Sequence, residues 1–185
     1  MTAPTSTQIP GYVVGTWDID PVHSDVSFTV RHMMVSKVRG RFGTFSGQIV
    51  TAPEFADSTV TTTVDASSVD TGNAQRDGHI RTADFFEVEK YPTWGFRSTA
   101  IRADDHLLDG ELTIKGVTRP VTFSLEVNGF GPDAYGGTRA GFSASATINR
   151  NDFGVDIAMP LDGGGGVVGE KVQVSLEIEA VLRAS

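Results

Sequence analysis

The residues of this sequence best suited to acid–base or metal chemistry are four histidines in four separate segments: His23, His32, His79 and His106. A fold that placed His23 and His79 together, beside the carboxylates of Asp20, Asp70 or Asp77, would create an acid–base pair or a metal site. The spacing does not demand this, because polar neighbours offer structural hydrogen bonds. We therefore predict no catalytic residue and no metal ligand. An enzyme that uses these groups is the alternative.

Arginines offer a second kind of chemistry, since a guanidinium group binds phosphate or carboxylate through paired hydrogen bonds. Arg76, Arg81 and Arg97 could each contact an anionic group, although solvated surface charge is the commoner role of an arginine. The composition points away from large polyanions, because 23 acidic and 15 basic residues give a net charge of −8. We expect no nucleic acid partner and no stable insertion into a membrane.

Several catalytic classes lack their characteristic residues. Cysteine is absent, which excludes disulfides, thiolate metal sites and cysteine nucleophiles. The segment Gly129–Ala134 matches G-x-G-x-x-A, but Pro132 within it predicts a hairpin loop and not the helix that a dinucleotide site requires. The nucleophile-elbow, P-loop and H-E-x-x-H motifs do not occur, so we predict no cofactor.

The first residues, 1–12, contain neither lysine nor arginine and no apolar run of secretory length. We read them as a flexible leader before one domain over 13–185, and expect a cytoplasmic protein. The chain has no apolar stretch near the length of a membrane-spanning helix, so we expect it to be soluble.

Apolar residues recur at every second position along most of the chain, which indicates β-strands with one apolar face. With a further strand near 14–20, eight or nine strands follow, joined by turns short enough to make neighbours antiparallel. The alternating segments are 26–30, 60–66, 94–100, 108–114, 121–127, 142–148 and 172–182.

Three features interrupt this pattern. The alternation changes phase between Phe42 and Phe45, which predicts a bulge or bend near Gly43. Residues 71–90 show no alternation and open with capping residues, so we predict a short helical insertion that covers one end of the sheet. Four consecutive glycines, Gly163–Gly166, predict a mobile loop.

An antiparallel sheet with one apolar face removes its open edges by closing into a barrel, and eight strands leave room for side chains or one small ligand. We predict an all-β, eight-stranded antiparallel barrel, with a sandwich as the alternative. The inward positions mix Phe with Ala, Ser and Gly, which fits either an open tunnel or a filled core. The predicted lining is Val26, Phe28, Val30, Phe42, Val60, Val64, Phe96, Leu112, Ile114, Phe123, Leu125 and Phe142.

Six short motifs follow one another along the chain: Trp17–Ser24; Gly40–Phe42; Asp70–Gly72 with Arg76, Asp77 and His79; Phe85–Val88 with Lys90–Pro92; Gly110–Thr118; and Ile148–Arg150 with Asp152–Gly154. Through these motifs, in this order, the sequence resembles the YceI-like proteins, a lipocalin-like polyisoprenoid-binding family, over about residues 15–183.

The resemblance implies an extended lipocalin-like barrel with a helical insertion, an apolar tunnel for an isoprenoid or other long-chain lipid, and a homodimer. We therefore expect a non-catalytic carrier or store for a quinone, polyprenyl or acyl chain. The net charge of −8 favours a neutral headgroup over a phosphate. The alternatives are the enzyme described above and a filled barrel that acts as an interaction module.

Overall fold

The computed structural model describes residues 9–33, 35–157 and 168–184. They form one α-helix, α1 (Ala74–Ile80), and eleven β segments. Short 3-10 turns lie at Phe55–Asp57, Ala66–Ser68, Ala103–Asp105 and Arg150–Phe153. The β segments are β1 (Gly15–Ile19), β2 (Asp25–His32), β3 (Ser36–Phe42), β4 (Phe45–Thr51), β5 (Thr59–Asp65), β6 (Val69–Asp70), β7 (Thr93–Arg102), β8 (Leu107–Ile114), β9 (Val117–Pro132), β10 (Thr138–Asn149) and β11 (Val168–Leu182).

All the strand pairings described are antiparallel, and they close the sheet on itself. The order β1-β4-β5-β7-β8-β9-β10-β11 returns to β1, since Ile19 pairs with Ala180. β11 also pairs with β2, which continues to β3 and β6. The predicted all-β, eight-stranded antiparallel barrel is confirmed.

Eleven segments make eight strands because three strands are interrupted. β1 and β2 are successive parts of one strand along β11, separated by the turn at residues 20–24. β3 and β4 are likewise separated at Gly43 and Thr44, where the phase of the alternation changes in the sequence. β5 and β6 are separated by a 3-10 turn. Each break changes whether odd- or even-numbered residues face inward, so the two parts of one strand pair in different registers.

One end of the barrel, which we call the Trp17 end, is packed with aromatic and small residues. Trp17 is fully buried and lies edge-on to Phe130, with ring centroids 5.4 Å apart. Phe130 also contacts Phe142 and Tyr12. Tyr12, at the end of the predicted leader, donates a hydrogen bond to the Ala52 carbonyl at 2.6 Å. These contacts form a compact cluster at this end.

The opposite end, which we call the helix end, carries α1 and the turns that follow it to residue 90. Asn73 caps α1, because its side chain accepts from the Arg76 amide at 2.9 Å. Phe85 and Phe86 are buried and fix this segment to the barrel core. Asp77, also buried, accepts from the Thr71 amide at 2.9 Å.

No helix in the described ranges combines the length and the apolar character needed to cross a bilayer. The predicted mobile loop at Gly163–Gly166 and residues 1–8 of the predicted leader lie outside the described residues.

Candidate functional site: an apolar cavity inside the barrel

A cavity of about 370 Å³ runs inside the barrel and is lined by residues from almost every strand. Its volume is at the lower end of the range of about 300–1,000 Å³ that is usual for small-molecule sites. The twelve residues predicted to line a tunnel, from Val26 to Phe142, all lie on its wall. Their contact with a ligand stays a prediction.

Several inward apolar side chains are only half-buried, which shows that the interior is not filled. Phe28, Phe96 and Leu112 face inward yet keep accessible surface, because part of each borders the cavity. Phe123 and Ile114, on the same wall, are 3 % and 4 % exposed, respectively. The filled barrel considered as an alternative is therefore not the structure of this chain.

Glycines opposite aromatic residues keep some rings flat against the wall. Gly40 in β3 lies directly opposite Phe28 in β2, and a Cβ added at Gly40 would overlap the Phe28 ring. Gly110 in β8 pairs with Ser98, and a Cβ added there would likewise overlap the ring of the nearby Phe96. Because each ring occupies the space above a glycine, it projects less far into the cavity than it would above a larger residue.

Replacing Gly40 with alanine is expected to push the Phe28 ring into the cavity. We expect the free energy of unfolding to fall by about 1–2 kcal/mol, because overpacking outweighs the smaller chain entropy of alanine in the unfolded state. Chemical denaturation measures this effect. Gly131→Ala is the control, since nothing lies within 4 Å of its added Cβ. Equal stability of both variants would contradict this packing.

Sequence reasoning did not identify part of the wall at the helix end. Trp94 lies edge-on to Phe42 and Phe86, with ring centroids 4.8 and 4.7 Å away, and all three line the cavity. Its indole N–H is buried and has no hydrogen-bond acceptor within the described ranges. The Phe85–Phe86 pair follows the non-alternating segment of α1, so periodicity could not assign it a face.

The three arginines singled out in the sequence have different surroundings. Arg97 is exposed and pairs with Glu111 at 2.8 Å. Arg81 donates to the carbonyls of Ser67 and Val69, which ties α1 to β6. Arg76 alone among them lines the cavity.

The structure does not bring His23 and His79 together. His79 is on α1 at the helix end, where its Nε2 lies 2.9 Å from Asp84 Oδ2. His23 follows β1 and contacts Asp20 and Glu179. Glu179 lies near the end of β11, ten residues after Gly169 at the helix end. Of the two histidines, only His79 borders the cavity. The alternative enzyme therefore lacks the histidine pair that its acid–base or metal chemistry required.

Asp20, His23 and Glu179 do form a cluster, with one ligand-type atom of each within 4.8 Å of the others. Arg139 already supplies a positive charge there, because its Nη1 lies 2.8 Å from both Asp20 Oδ2 and Glu179 Oε2. Hydrogen bonds from Arg139, and then from His23, lower the pKa of Asp20 to about 2. The cluster is thus a structural ion-pair network that joins β1, β10 and β11.

Replacing Arg139 with methionine is expected to destabilise the fold most at neutral pH. The lowered pKa of Asp20 stabilises the folded state above the ordinary aspartate pKa near 4, and this stabilisation is lost as the pH falls towards 2. Arg139 also lies 3.1 Å from Asp133 Oδ2, so without it the carboxylates of Asp20, Asp133 and Glu179 lose their shared cation and repel one another. The loss relative to wild type should therefore shrink below about pH 4. Denaturation curves from pH 3 to 8 measure it. Arg97→Met is the control, and a loss independent of pH would contradict the network.

Comparison with known proteins agrees with the barrel and its cavity. The family model for the YceI-like domain matches residues 17–180. The UPF0312 protein PA0423 of Pseudomonas aeruginosa is 37 % identical over 168 residues, which cover 89 % of this chain and 84 % of that protein.

Two solved structures are similar as well. Burkholderia cenocepacia BcnA has a TM-score of 0.75 and 26 % identity, over 87 % of this chain and 98 % of that chain. A polyisoprenoid-binding domain from Saccharophagus degradans has a TM-score of 0.71 at 18 % identity, over 92 % and 100 %, which shows a shared fold. On the strength of the family match and of these relatives, the chain belongs to the YceI-like family.

Proposed function

We propose that this protein binds one long-chain amphiphile in the barrel cavity, as a carrier or store and without converting it. The ligand class is an isoprenoid, such as a quinone or polyprenyl chain, or an acyl chain. The observation that carries the proposal is the cavity, which lies inside a closed barrel and is bordered mainly by Val, Ile, Leu and Phe. The resemblance to polyisoprenoid-binding proteins supports the isoprenoid class.

An apolar wall binds the hydrocarbon tail of a ligand, and it does not recognise a specific pattern of polar groups on the ligand. Burial of apolar surface is non-directional and scales with the area removed from water. The Trp17 end is filled with packed side chains, so the tail has a limited depth. Chain length is therefore the property that this wall selects.

The same wall supports binding without conversion. A reaction needs a nucleophile or an acid–base pair within hydrogen-bond reach of the reacting atom. His23, which the alternative enzyme would use, is held by Asp20 outside the cavity. Most side chains on the cavity wall are hydrocarbon, and the residues with hydroxyl groups there are Ser27, Ser58, Thr59, Thr62 and Thr71.

Extraction of the purified protein tests the proposal. Protein expressed in its natural host is denatured in organic solvent, and the released lipids are identified by mass spectrometry. We expect a long-chain lipid in near-stoichiometric amount, absent from an extract of Ala144→Trp, whose new side chain would obstruct the cavity. A cavity that returns no lipid and binds no added lipid would exclude the proposed function.

A series of saturated alcohols should reveal selection by length. Each buried methylene contributes about 0.8 kcal/mol, so the affinity should rise about fourfold per added carbon until the cavity is full. Displacement of a fluorescent fatty-acid probe measures each dissociation constant. An affinity independent of chain length would contradict binding of the tail in the cavity.

The cytoplasmic location and the homodimer stay predictions. Size-exclusion chromatography with light scattering tests the homodimer, because a dimer has twice the chain mass of 19.7 kDa.

A further inference from the structure

The ionisable side chains on the cavity wall have a charge opposite to that of the whole protein. Of the described residues that border the cavity, five are ionisable, all of them are arginine or histidine, and none is a carboxylate. The whole chain has 23 acidic and 15 basic residues, so the wall does not reflect the average composition. We call these five residues the basic rim: Arg31, His32, Arg76, His79 and Arg150.

The basic rim lies at the helix end. His32 pairs with Val168 at the start of β11, and a Cβ added at the adjacent Gly169 would be 3.3 Å from the Arg31 Cβ. Arg150, which follows β10, donates from Nε to the Gly169 carbonyl at 2.9 Å and from Nη2 to the Val168 carbonyl at 3.1 Å.

The helix contributes the remaining two rim residues. Arg76 and His79 are exposed on α1 and border the same cavity. Arg76 is held in place by Thr71, whose hydroxyl accepts from its Nε at 2.7 Å and whose carbonyl accepts from its Nη2 at 2.8 Å. The Thr71 hydroxyl in turn donates to the buried carboxylate of Asp77. Arg76 is thus oriented through a neutral residue, and the hydrogens on its Nη1 make no hydrogen bond to the described residues.

The rim arginines have no carboxylate partner among the described residues, a property they share with Arg39, Arg41, Arg81 and Arg119. Four arginines elsewhere form ion pairs with aspartate or glutamate: Arg97, Arg102, Arg139 and Arg183. Within the described ranges, Arg31, Arg76 and Arg150 form none. The nearest carboxylate contact on the rim is that of Asp84 with His79.

Arg150 is the most enclosed of these charges. It is half-buried, and burial lowers its pKa, opposed by the more distant Glu170 and Asp156. Its hydrogen-bond partners are carbonyl oxygens and the Asn151 amide oxygen, which satisfy its donors without neutralising the charge. A partly desolvated cation with no carboxylate in direct contact is unfavourable, and an anion placed beside it reduces that cost.

We propose that the amphiphile has an anionic headgroup, a carboxylate or a phosphate monoester, which the basic rim holds while the apolar tail fills the cavity. This rests on the proposed function and names its ligand class more closely. It replaces the neutral headgroup expected from the net charge, because a charge within a few ångströms outweighs distant charges screened beyond about 8 Å. Arg76 supplies free N–H donors, and Arg31 and Arg150 supply positive charge.

Ligand pairs that share a tail and differ in the headgroup test the proposal. The first pair is oleic acid and oleyl alcohol, and the second is geranylgeranyl phosphate and geranylgeraniol. Dissociation constants are measured by displacement of a fluorescent probe, below the micelle concentration and at low salt. We expect the anionic member of at least one pair to bind about tenfold more tightly or better, as charged hydrogen bonds typically achieve. The pair with the larger preference distinguishes carboxylate from phosphate.

Arg76→Gln should reduce this preference severalfold, because it weakens binding of the anionic member more than binding of the neutral member. Arg97→Gln is the matched control, because it removes the same charge from an exposed arginine on the outer surface that pairs with Glu111. Arg150 is not the first choice for substitution, because it also ties β11 to the turn after β10. Arg31→Gln combined with Arg76→Gln extends the test, with circular dichroism to verify the fold.

The outcomes separate the two proposals. If the neutral and anionic members bind equally well, the anionic headgroup is excluded while the proposed lipid binding stands. If the anionic preference survives in both Arg76→Gln and the double variant, the basic rim is excluded as its origin. If no member of either pair binds, the proposed function itself fails.

Discussion

Replacing Trp17 with alanine is expected to lower the free energy of unfolding by about 3–5 kcal/mol, a large part of the total stability of a small domain. Trp17 is 0 % exposed, and its Nε1 donates to Thr51 Oγ1 at 2.9 Å. That hydroxyl also accepts from the Gly15 amide and lies 2.7 Å from the Val13 carbonyl. The substitution therefore removes both the largest fully buried side chain and one bond of a buried network.

Urea denaturation followed by far-ultraviolet circular dichroism measures this loss, and Trp17→Phe separates its two parts. Phenylalanine keeps most of the volume but not the N–H donor, so we expect an intermediate loss. Tyr135→Ala is the control, because the Tyr135 side chain is 90 % exposed and its removal should change stability by less than about 0.5 kcal/mol. A loss below about 1 kcal/mol for Trp17→Ala would mean that the Trp17 end is not packed as described.

The alternation of apolar residues predicted the cavity wall well because side chains in a strand point alternately to its two faces. The position of Phe28, Phe123 or Phe142 in the alternation therefore also predicted whether its side chain lies inside or outside the barrel. The same rule located the break at Gly43, because a change of phase cannot be accommodated within one regular strand.

Periodicity could not predict the helix end. The segment over 71–90 was correctly assigned as non-strand, but only Ala74–Ile80 form an α-helix and turns follow it. Phe85 and Phe86 reach the core through tertiary packing that no local pattern encodes. Whether the mixture of Phe and Gly leaves a cavity also depends on cross-strand pairs such as Phe28 with Gly40. Such pairs are known only once the register of the strands is known.

Net charge carries no information about position, so it could not show which arginines border the cavity. The sequence suggested Arg76, Arg81 and Arg97 equally, yet Arg97 lies outside the barrel and Arg81 binds backbone carbonyls. Arg150 was not singled out as a ligand contact, although the motif Ile148–Arg150 offered a signal. An arginine directly after an alternating strand lies at an end of the barrel, which is where the proposed headgroup would lie.

Replacing Ala144 with tryptophan is expected to weaken lipid binding by tenfold or more while it changes the stability by less than about 1 kcal/mol. Ala144 borders the cavity in the middle of β10, opposite Leu125 on one neighbouring strand and Leu176 on the other. The new side chain would occupy much of a 370 Å³ cavity, whereas the same change in a filled core costs about 1–3 kcal/mol through overpacking. Aromatic residues are also favourable in strands.

Thr147→Trp is the matched control, because Thr147 lies on the same strand, is exposed, and does not border the cavity. Both variants add a tryptophan to β10, so any effect of the residue type on the strand is shared, and only Ala144→Trp removes space from the cavity. Oleic acid binding and urea denaturation are measured for both. Unchanged binding in Ala144→Trp would place the ligand outside the barrel. A loss of stability above about 3 kcal/mol would instead show that the space beside Ala144 is already filled, since overpacking is typically the cause of such a cost.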